Sequence, residues 1–515
     1  MKTNILSLLA LAGLLTFAGC ASDDTANKDN NDQEPGTEGL TSFVEEDQAT
    51  RTTGEYDGSG LNFYWTAGDR LWVNTGTTTS PVLTQDSQNN INAKLENNPT
   101  NPTAVKRVAK AKFWFSGTYT ASSYPVRYTG KNGTADKVTI KAAQSQTVPN
   151  DASHIGEDGD FGVATATKPT GSEAYTFTLD HKAAYITFMP YTTQSEVAGA
   201  KIQKIRVYTS NPSDALAGTF DLADDGTLSN PASTSNSIEL TVTDGTLNGG
   251  FSIPSTSTYA TNAATMVVNP GTYSNVSIEY TLYDRTTNQE GTITKTYSSV
   301  TFTAGKNKKV HTDLQVTVYG QDSFYMWDAQ QPYWYGHLDS DGIPDGNGPQ
   351  NNTDPRWHRE DTSWPCPAAN HSAKDCPNIN ECIWYIMQGD PHWNYELWAT
   401  MGHLYSGGIW FKKKAYISGF TDANYNGTDY RSTGAYFDNY SITQGLPNNR
   451  SDYFFLPGHL GYHSGTLYVI GSNTYWSSTP LSWSKDDVYA LGFGYNYAGV
   501  TILKRDFGCR LWTAQ

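Results

Sequence analysis

The sequence is poor in charged residues, and basic side chains are scarcer than acidic ones. Charged residues make up 17% of the 515 residues, and 35 basic against 51 acidic residues give a formal net charge of −16. Nucleic-acid binding requires basic stripes that displace counterions from phosphates, and this composition does not support it. After the N-terminal segment, no stretch is apolar and long enough to cross a bilayer as a helix. The acidic balance favours solubility instead.

Sequence motifs of catalysis are also missing. No Gly-x-Ser-x-Gly and no His-Glu-x-x-His pattern occurs in the chain. The histidines of the C-terminal third, among them His392, His403, His459 and His463, share no ligand spacing. We therefore predict that the protein is not an enzyme.

Cysteines are few, and four of the five fall in one C-terminal block. In an exported protein an even number of cysteines favours disulfides, and four allow three connectivities that the sequence leaves open. The candidates are Cys366, Cys376, Cys382 and Cys509. The alternative is a metal site, because His371 lies between Cys366 and Cys376, although the spacings match no common zinc signature.

The fifth cysteine, Cys20, ends a lipoprotein-type signal. Lys2 supplies a positive charge, residues 5–17 form an apolar run too short to span a bilayer, and Phe17-Ala-Gly-Cys20 has the small residues of a bacterial lipoprotein cleavage motif. Residues 1–20 are therefore predicted to be a signal peptide, with lipid attached at Cys20 and the precursor at the outer membrane. An ordinary secretory signal is the alternative, and it also implies export.

The polar stretch after Cys20 predicts a flexible tether, because it has too few apolar residues to form a core. Residues 52–318, in contrast, alternate apolar and polar residues in short stretches separated by Gly, Pro, Asn and Asp. Residues 201–208 are one such strand, and 277–283 with 294–302 form a hairpin. The predicted fold class is mainly β, built from antiparallel sandwiches.

Several motifs follow one another between residues 49 and 306. They are Ala49-Thr-Arg-Thr52, Trp65-Thr-Ala-Gly-Asp-Arg-Leu-Trp-Val73, Gly159-Asp-Phe-Gly-Val163, Phe177 to Phe188, Leu216 to Leu222, Asn269-Pro-Gly271 and Phe302 to Lys306. In this order they resemble the motifs of Bacteroidia fimbrillins, the subunits of type V pili. The resemblance implies two tandem fimbrillin-like β-sandwich domains, at residues 52–168 and 169–318.

The same resemblance implies that a trypsin-like protease cleaves the lipidated precursor after an arginine, and Arg51 is the matching position. Residues 40–44, just before it, are β-prone and suited to pairing with the first sandwich. Their loss would leave backbone groups and apolar side chains uncovered until another strand filled the groove. We therefore expect residues 21–51 to comprise a tether and a propeptide strand. The alternative is that Arg51 is a solvated linker residue and the precursor stays whole.

Beyond residue 318 the composition changes, since eleven of the fourteen tryptophans lie in residues 319–515. The segments Asp452-Tyr-Phe-Phe-Leu-Pro457, Tyr475-Trp-Ser-Ser-Thr-Pro480 and Phe507-Gly-Cys-Arg-Leu-Trp512 are similar to the Fibrobacter major-paralogous type of C-type-lectin-like domain. The resemblance implies an α+β domain over residues 319–515. The order Cys509-Arg510 departs from the Arg-Cys order of that type. Large aromatics dominate the cores of loop-rich domains, so we expect most of these tryptophans to be core residues.

One loop of this region carries oxygen ligands that suit calcium. Asp339, Asp341 and Asp345 lie in the Gly-containing stretch Asp339-Ser-Asp-Gly-Ile-Pro-Asp-Gly-Asn347. The stretch lacks the twelfth-position Glu of an EF-hand and occurs once. A calcium site is one expectation, and an Asx-rich turn between two domains is the alternative.

Together, the two resemblances imply the tip (minor) subunit of a type V pilus. A stalk subunit must donate a C-terminal strand to its neighbour, whereas this chain continues into a further domain. The subunit would accept a donor strand from another pilin and present its lectin-like domain to a glycan or protein ligand on a host or bacterial surface. The alternative is a permanently lipid-anchored, glycan-binding surface lipoprotein.

Overall fold

The computed structural model describes residues 34, 36–46, 53–58, 60–99, 101–320, 324–339, 344–458, 461–468 and 473–515. Strands account for 44% and helices for 8%, which confirms the mainly β fold class. Within these ranges no helix is both long enough and apolar enough to cross a membrane. Cys20 and Arg51 lie outside the described residues, so lipidation and processing there stay predictions.

The first part of the chain folds around an aromatic core. Its elements are β1 (Thr41–Glu45), β2 (Thr53–Tyr56), β3 (Leu61–Tyr64), β4 (Trp72–Asn74), β5 (Leu83–Gln85), β6 (Gln88–Asn89), α1 (Ile91–Lys94), β7 (Lys112–Phe115), β8 (Ser123–Tyr128), β9 (Lys137–Ile140), β10 (Ala143–Gln146), α2 (Ile155–Asp158), β11 (Gly162–Thr167), β12 (Tyr175–Phe177) and β13 (Asp180–His181). One sheet has the order β5-β4-β8-β11-β12-β1-β7-β6, with β13 on β11, and β2 pairs with β3. Val73 of β4 and Phe113 of β7 share one core although four strands lie between β4 and β7 in the sheet, so the sheet folds over on itself.

The second part is a two-layer sandwich. Its elements are β14 (Ala184–Tyr191), α3 (Ser195–Ala198), β15 (Lys201–Thr209), β16 (Ala217–Leu222), β17 (Leu228–Ser235), β18 (Ser237–Val242), β19 (Phe251–Ser252), α4 (Tyr259–Asn262), β20 (Ala264–Val268), β21 (Gly271–Asp284), β22 (Gln289–Phe302), β23 (Asn307–Asp313) and β24 (Thr317–Val318). The sheet β10-β18-β15-β21-β22 and the sheet β20-β14-β23 share one apolar core, which β17-β16-β9 also joins. β15 and the β21–β22 hairpin confirm the strands predicted from alternation.

Strand pairing crosses the predicted boundary near residue 168 in both directions. β12 and β13 follow that position and pair within the first sheet. β9 and β10 precede it and pair with β16 and β18 of the second part. The two sandwiches therefore interleave in sequence there, and the division at this residue stays a prediction.

Two buried glutamines of β10 join the layers of the second sandwich. Gln144 donates from Nε2 to the Val267 carbonyl at 2.7 Å, and its Oε1 accepts from the Val267 N–H at 2.9 Å. Gln146 likewise donates from Nε2 to the Ala263 carbonyl at 2.9 Å, and its Oε1 accepts from the Thr265 N–H at 2.8 Å. Since β20 is the edge of its sheet, these amides take the place of a neighbouring strand.

The third part combines two sheets with a ten-residue helix. Its elements are β25 (Phe324–Tyr325), α5 (Ile379–Gln388), β26 (His392–Thr400), β27 (His403–Lys412), a 3₁₀ turn (Lys414–Tyr416), α6 (Tyr430–Thr433), β28 (Asp438–Asn439), β29 (Thr443–Gln444), a 3₁₀ turn (Arg450–Asp452), β30 (Tyr453–Pro457), β31 (Gly461–His463), β32 (Thr466–Tyr468), β33 (Asn473–Pro480), β34 (Asp487–Gly494), β35 (Tyr497–Lys504) and β36 (Cys509–Arg510). The sheets are β24-β26-β27-β30, with β29 on β26, and β25-β36-β33-β34-β35-β28, and β31 pairs with β32.

A capping box begins α5, because the Asn378 side chain accepts from the Glu381 N–H while the Glu381 side chain accepts from the Asn378 N–H. The helix buries its apolar face in the core of the third part. Trp476 and Trp512 are buried in the same core, as expected. The C-type-lectin-like assignment of residues 319–515 stays a prediction.

The turn of the β21–β22 hairpin fastens the second part to the third. Asp284 accepts from the Leu404 N–H at 3.0 Å and lies 3.2 Å from His403 Nδ1. Thr287 Oγ1 donates to the Leu404 carbonyl at 2.7 Å. Leu397 and Leu404 of β26 and β27 belong to the apolar core of the second sandwich. The contact therefore combines hydrogen bonds with shared apolar packing.

Replacing Gln144 by Leu is expected to destabilise the protein, because the Val267 N–H and carbonyl would be left buried without partners. Each unpaired group costs about 1 to 3 kcal/mol. Denaturant unfolding measures the loss. Gln194→Leu is the matched control, since Gln194 makes the same two bonds to Val316 but is half-buried. Water can replace its bonds, so a loss from Gln194→Leu as large as that from Gln144→Leu would contradict the role of burial.

Candidate functional site

The candidate site is the slot that β1 occupies inside the first sheet. β1 runs parallel to β12 on one side and antiparallel to β7 on the other. Phe43 lies opposite Tyr175 of β12 and Phe113 of β7. Arg51 falls in the stretch 47–52 between β1 and β2, outside the described residues. A strand from the N-terminal segment thus sits between two strands that come from much later in the chain.

Phe43 is the apolar anchor of β1 and is fully buried. Its ring stacks on Tyr175 with the centroids 4.7 Å apart, and it meets Phe115 and Tyr119 edge-on at 4.9 and 5.4 Å. Tyr124 closes the group, 5.2 Å from Tyr119 and 5.5 Å from Tyr175. We call these four rings, Phe115, Tyr119, Tyr124 and Tyr175, the aromatic pocket.

The tyrosines of the aromatic pocket are held in place by hydrogen bonds to the backbone. The Tyr175 hydroxyl donates to the Ala121 carbonyl at 2.6 Å. The Tyr124 hydroxyl accepts from the Ala121 N–H at 3.1 Å. Burial raises the pKa of Tyr119 and of Tyr175 above the ordinary tyrosine value, which already keeps the hydroxyl protonated at neutral pH. These hydrogen bonds therefore fix the positions of the tyrosine side chains that line the aromatic pocket.

Glu45, two residues after Phe43, is also fully buried. The Trp65 indole donates from Nε1 to Glu45 Oε2. Trp65 is itself fully buried, with its ring 5.0 Å from Phe113. A polar group among aromatic rings costs free energy unless it is hydrogen-bonded, and this bond supplies a partner. Phe43 and Glu45 lie on the same face of β1 because successive strand side chains alternate.

The backbone of β1 extends the pairing beyond the strand. The Glu45 N–H donates to the Ala111 carbonyl at 3.3 Å, and the Glu46 N–H donates to the Phe177 carbonyl at 3.1 Å. Removal of β1 would leave facing edges of β7 and β12 unpaired and would uncover the aromatic pocket. Such a slot accepts a strand of matching side chains.

The β-prone stretch 40–44 predicted this strand, and β1 at Thr41–Glu45 confirms it. Glu45 and Trp65 were missed as site residues. The signal available was the spacing of two between Phe43 and Glu45, but a carboxylate at an inward strand position ordinarily argues against a buried face. The Trp65 indole N–H, which allows the Glu45 carboxylate to be buried, lies twenty residues away in the sequence, so this pair cannot be assigned from the sequence.

The four C-terminal cysteines are free thiols and all are buried, so the predicted disulfides are not confirmed. Burial raises the pKa of Cys376 and of Cys509 to about 12, which keeps both thiols neutral. Cys509 lies 3.4 Å from the Thr474 hydroxyl on the neighbouring strand β33. Among the described residues no three His, Cys, Asp or Glu side chains are grouped so as to hold a metal ion.

The predicted calcium ligands are only partly described. Asp341 lies outside the described residues, so calcium binding by Asp339, Asp341 and Asp345 stays a prediction. The Asp345 carboxylate accepts from the Asn347 N–H at 2.8 Å and lies 2.9 Å from His337 Nδ1. These contacts, the Asn347 N–H first, lower the pKa of Asp345 to about 2. The bond from Asn347 is that of an Asx turn.

An open cavity of about 410 Å³ lies in the third part. Its lining includes Asn352, Asp354, Trp357, Glu360 and His371. Glu360 accepts from Trp357 Nε1 at 3.1 Å and from Asn352 Nδ2 at 3.0 Å. An aromatic ring beside planar polar side chains is a surface that fits a polar ligand with an apolar face.

No protein-family model matches the chain, and no curated protein matches it significantly. Three similar solved structures come from Bacteroides species. A candidate cell adhesion protein from Bacteroides ovatus is 13% identical, with a TM-score of 0.29, over 53% of this chain and 91% of that one. Another from Bacteroides uniformis is 13% identical, with a TM-score of 0.28, over 54% and 94%. A fimbrial protein from Bacteroides ovatus is 11% identical, with a TM-score of 0.24, over 91% and 98%. At this level of similarity the roles of these proteins do not transfer to this chain.

Replacing Phe43 by Ala is expected to destabilise the first sandwich by about 3 to 5 kcal/mol, because it empties the aromatic pocket. Denaturant unfolding followed by tryptophan fluorescence measures the loss, and amide hydrogen exchange locates it at β7 and β12. Ser42→Ala is the control, since Ser42 is half-buried on the other face of β1, and its effect is expected within about 0.5 kcal/mol. Equal effects of the two variants would show that β1 does not anchor the sheet.

Proposed function

We propose that this protein is the tip (minor) subunit of a type V pilus, assembled by protease-triggered strand complementation. One observation carries the proposal. β1 is a central strand of the first sheet, with Phe43 fully buried, yet it precedes a stretch that contains Arg51. A cut there would separate β1 covalently from the sheet that it completes, and the slot could then take a strand from another pilin.

The lipid at Cys20 has a transient part in this proposal. It delivers the precursor to the outer membrane and the cell surface, with the slot filled by the chain's own strand. Cleavage after Arg51 then removes lipid and β1 together as one propeptide. The mature protein resides in the pilus, and its partners are other pilin subunits.

The pairing of the later strands supports the tip position. β24, which follows the second sandwich, pairs in parallel with β26 of the third part. Among the described residues, the strands after β24 pair within the third part. Lys414 in the third part donates from its N–H to the Gln515 carbonyl at 2.6 Å. In this proposal the subunit accepts a strand from its neighbour, and each of its described C-terminal strands is already paired within the subunit. Assembly of the purified mature protein into long homopolymers would overturn the tip position.

The third part is the proposed adhesin, and a glycan or protein on a host or bacterial surface is its proposed ligand. The cavity beside Trp357 is the surface that supports a glycan. Calcium is a candidate cofactor through Asp339, Asp341 and Asp345, and no catalytic step is proposed.

The second candidate is a permanently lipid-anchored surface protein that binds glycan without pilus assembly. The bond between Trp65 and Glu45 favours it, because a sandwich that is complete with its own strand needs no partner. The two candidates differ in the N terminus of the protein at the cell surface. A start at Thr52 supports the pilus subunit, and a retained acylated Cys20 supports the anchored protein.

Treatment of the precursor with trypsin under native conditions is expected to cut after Arg51, because the stretch 47–52 joins two different sheets. N-terminal sequencing and intact mass identify the product. Arg51→Gln is expected to abolish this cut. Arg285→Gln is the control, since Arg285 is an exposed arginine in the β21–β22 turn, and the cut after Arg51 should persist in that variant. Failure of trypsin to cut the wild type at Arg51 would contradict the processing step.

A glycan array probed with the full chain, with and without calcium, tests the adhesin role. Trp357→Ala is expected to reduce binding at least about tenfold, because the ring is the apolar surface of the cavity. Trp483→Ala is the control, since Trp483 is half-exposed and lies outside the cavity lining. Absence of binding by the wild type under both conditions would leave the third part as a structural cap.

A further inference from the structure

We infer that the slot of β1 selects its incoming strand by two side chains: an aromatic residue and, two positions later, a residue that accepts a hydrogen bond. The acceptor is Glu, Asp, Gln or Asn. The inference rests on the proposed function, because the slot is open to a partner only after β1 has left. It names the chemistry of that partner, which backbone pairing alone does not specify.

The aromatic requirement comes from the aromatic pocket. Its rings come from β7, β8, β12 and the β7–β8 loop, so none of them leaves with β1. Hydrogen bonds from Tyr175 to the Ala121 carbonyl and from Tyr119 to the Ser116 carbonyl, at 2.6 and 3.2 Å, fix two of its walls. Because hydrogen bonds hold these rings in place, the pocket does not collapse around a small side chain. An aliphatic side chain would lose the stacked contact that Phe43 makes with Tyr175.

The acceptor requirement comes from Trp65. Its indole nitrogen is a donor only, and the side chain is fully buried. In the intact chain Nε1 donates to Glu45 Oε2. A strand with Leu or Val at that position would bury the N–H without a partner, which is costlier than losing an exposed bond. An amide oxygen satisfies the same donor, so the bond from Trp65 requires an acceptor but does not require a negative charge.

The two requirements together fix the direction of the strand. The slot has a parallel edge on β12 and an antiparallel edge on β7. A reversed strand could still pair with both edges through its backbone. It would, however, place the acceptor in the aromatic pocket and the aromatic ring against Trp65 Nε1. The side-chain order therefore selects the orientation seen for β1.

Among the described residues, the later segments that have the required order are held in their own parts of the fold. Trp72-Val-Asn74 lies in the paired strand β4, Tyr273-Ser-Asn275 lies in the paired strand β21, Tyr436-Phe-Asp438 runs into β28, and Phe420 of Phe420-Thr-Asp422 packs on Trp384 and Tyr385. Residues Phe437-Asp-Asn439 have the required order, but β28 is paired with β35, and Asn439 donates to the Ile386 carbonyl at 2.7 Å. Residues Trp512-Thr-Ala514 place Ala at the acceptor position, and Trp512 is buried in its own core. The partner that fits is thus a strand of a different chain.

The test uses labelled peptides of residues 40–46 and the full chain cleaved at Arg51 and freed of its propeptide. The wild-type peptide and its Glu45→Gln variant are expected to bind alike. The Phe43→Ala and Glu45→Leu variants are each expected to bind at least about tenfold more weakly, which corresponds to about 1.4 kcal/mol. Val44→Ala is the control peptide, because Val44 lies on the other face of β1.

A protein variant separates the acceptor rule from general packing. Trp65→Phe removes the donor and keeps an aromatic ring, so the preference for the Glu45 peptide over the Glu45→Leu peptide is expected to disappear. The acceptor requirement can also be tested in the intact chain without cleavage. Thermal unfolding of Glu45→Leu and Glu45→Gln is compared with Trp65 present and with Trp65→Phe. The Glu45→Leu variant should unfold at a lower temperature than Glu45→Gln only while Trp65 is present.

Two failures are distinguishable. A cleaved protein that binds none of the peptides overturns the proposed function and the selection rule together. A cleaved protein that binds the Glu45→Leu peptide as tightly as the wild-type peptide overturns the rule and leaves strand complementation standing.

Discussion

The first sandwich depends on the insertion of β1 between β7 and β12. Phe43 and its partners Phe113 and Tyr175 are far apart in the sequence, so this one contact closes two long loops and completes one continuous sheet. Everything that β1 contributes lies in five residues, with one aromatic ring and one carboxylate facing inward. Because β1 is short and meets the sheet only through long-range contacts, the strand replacement proposed above would leave the other strand pairings of the sheet in place.

The second sandwich solves the same problem of unpaired strand edges in a different way. Within the described part of the chain, β20 has no strand on its outer side, and the side chains of Gln144 and Gln146 satisfy its backbone groups from a strand that belongs to the opposite layer. Those amides are part of the core and leave only when the protein unfolds. The edges of β7 and β12 are instead covered by β1, which precedes all other strands of that sheet in the sequence. In the proposed processing, the departure of β1 would expose these two edges of the first sandwich.

Alternation of apolar and polar residues was enough to predict β15, the β21–β22 hairpin and the strand just before Arg51. It could not predict which strands pair, because partners such as β1 and β12 are brought together by the whole fold. Glu45 was missed for a chemical reason, since its burial depends on the Trp65 indole. The number of cysteines favoured disulfides, but it does not tell how far apart their sulfur atoms lie. In the structure Cys509 contacts Thr474 on the adjacent strand.

The docking of the β21–β22 turn on β26 and β27 bears on how the molecule carries load. If the third part is pulled away from the second, the force reaches the chain through β24 and its pairing with β26, and also through Asp284 and Thr287 at the hairpin turn. Two attachment points resist bending and twisting, whereas a single linker resists neither. These two attachments therefore restrict rotation of the third part relative to the second. A pulling force on the third part is transmitted along β21 and β22 into the second sandwich.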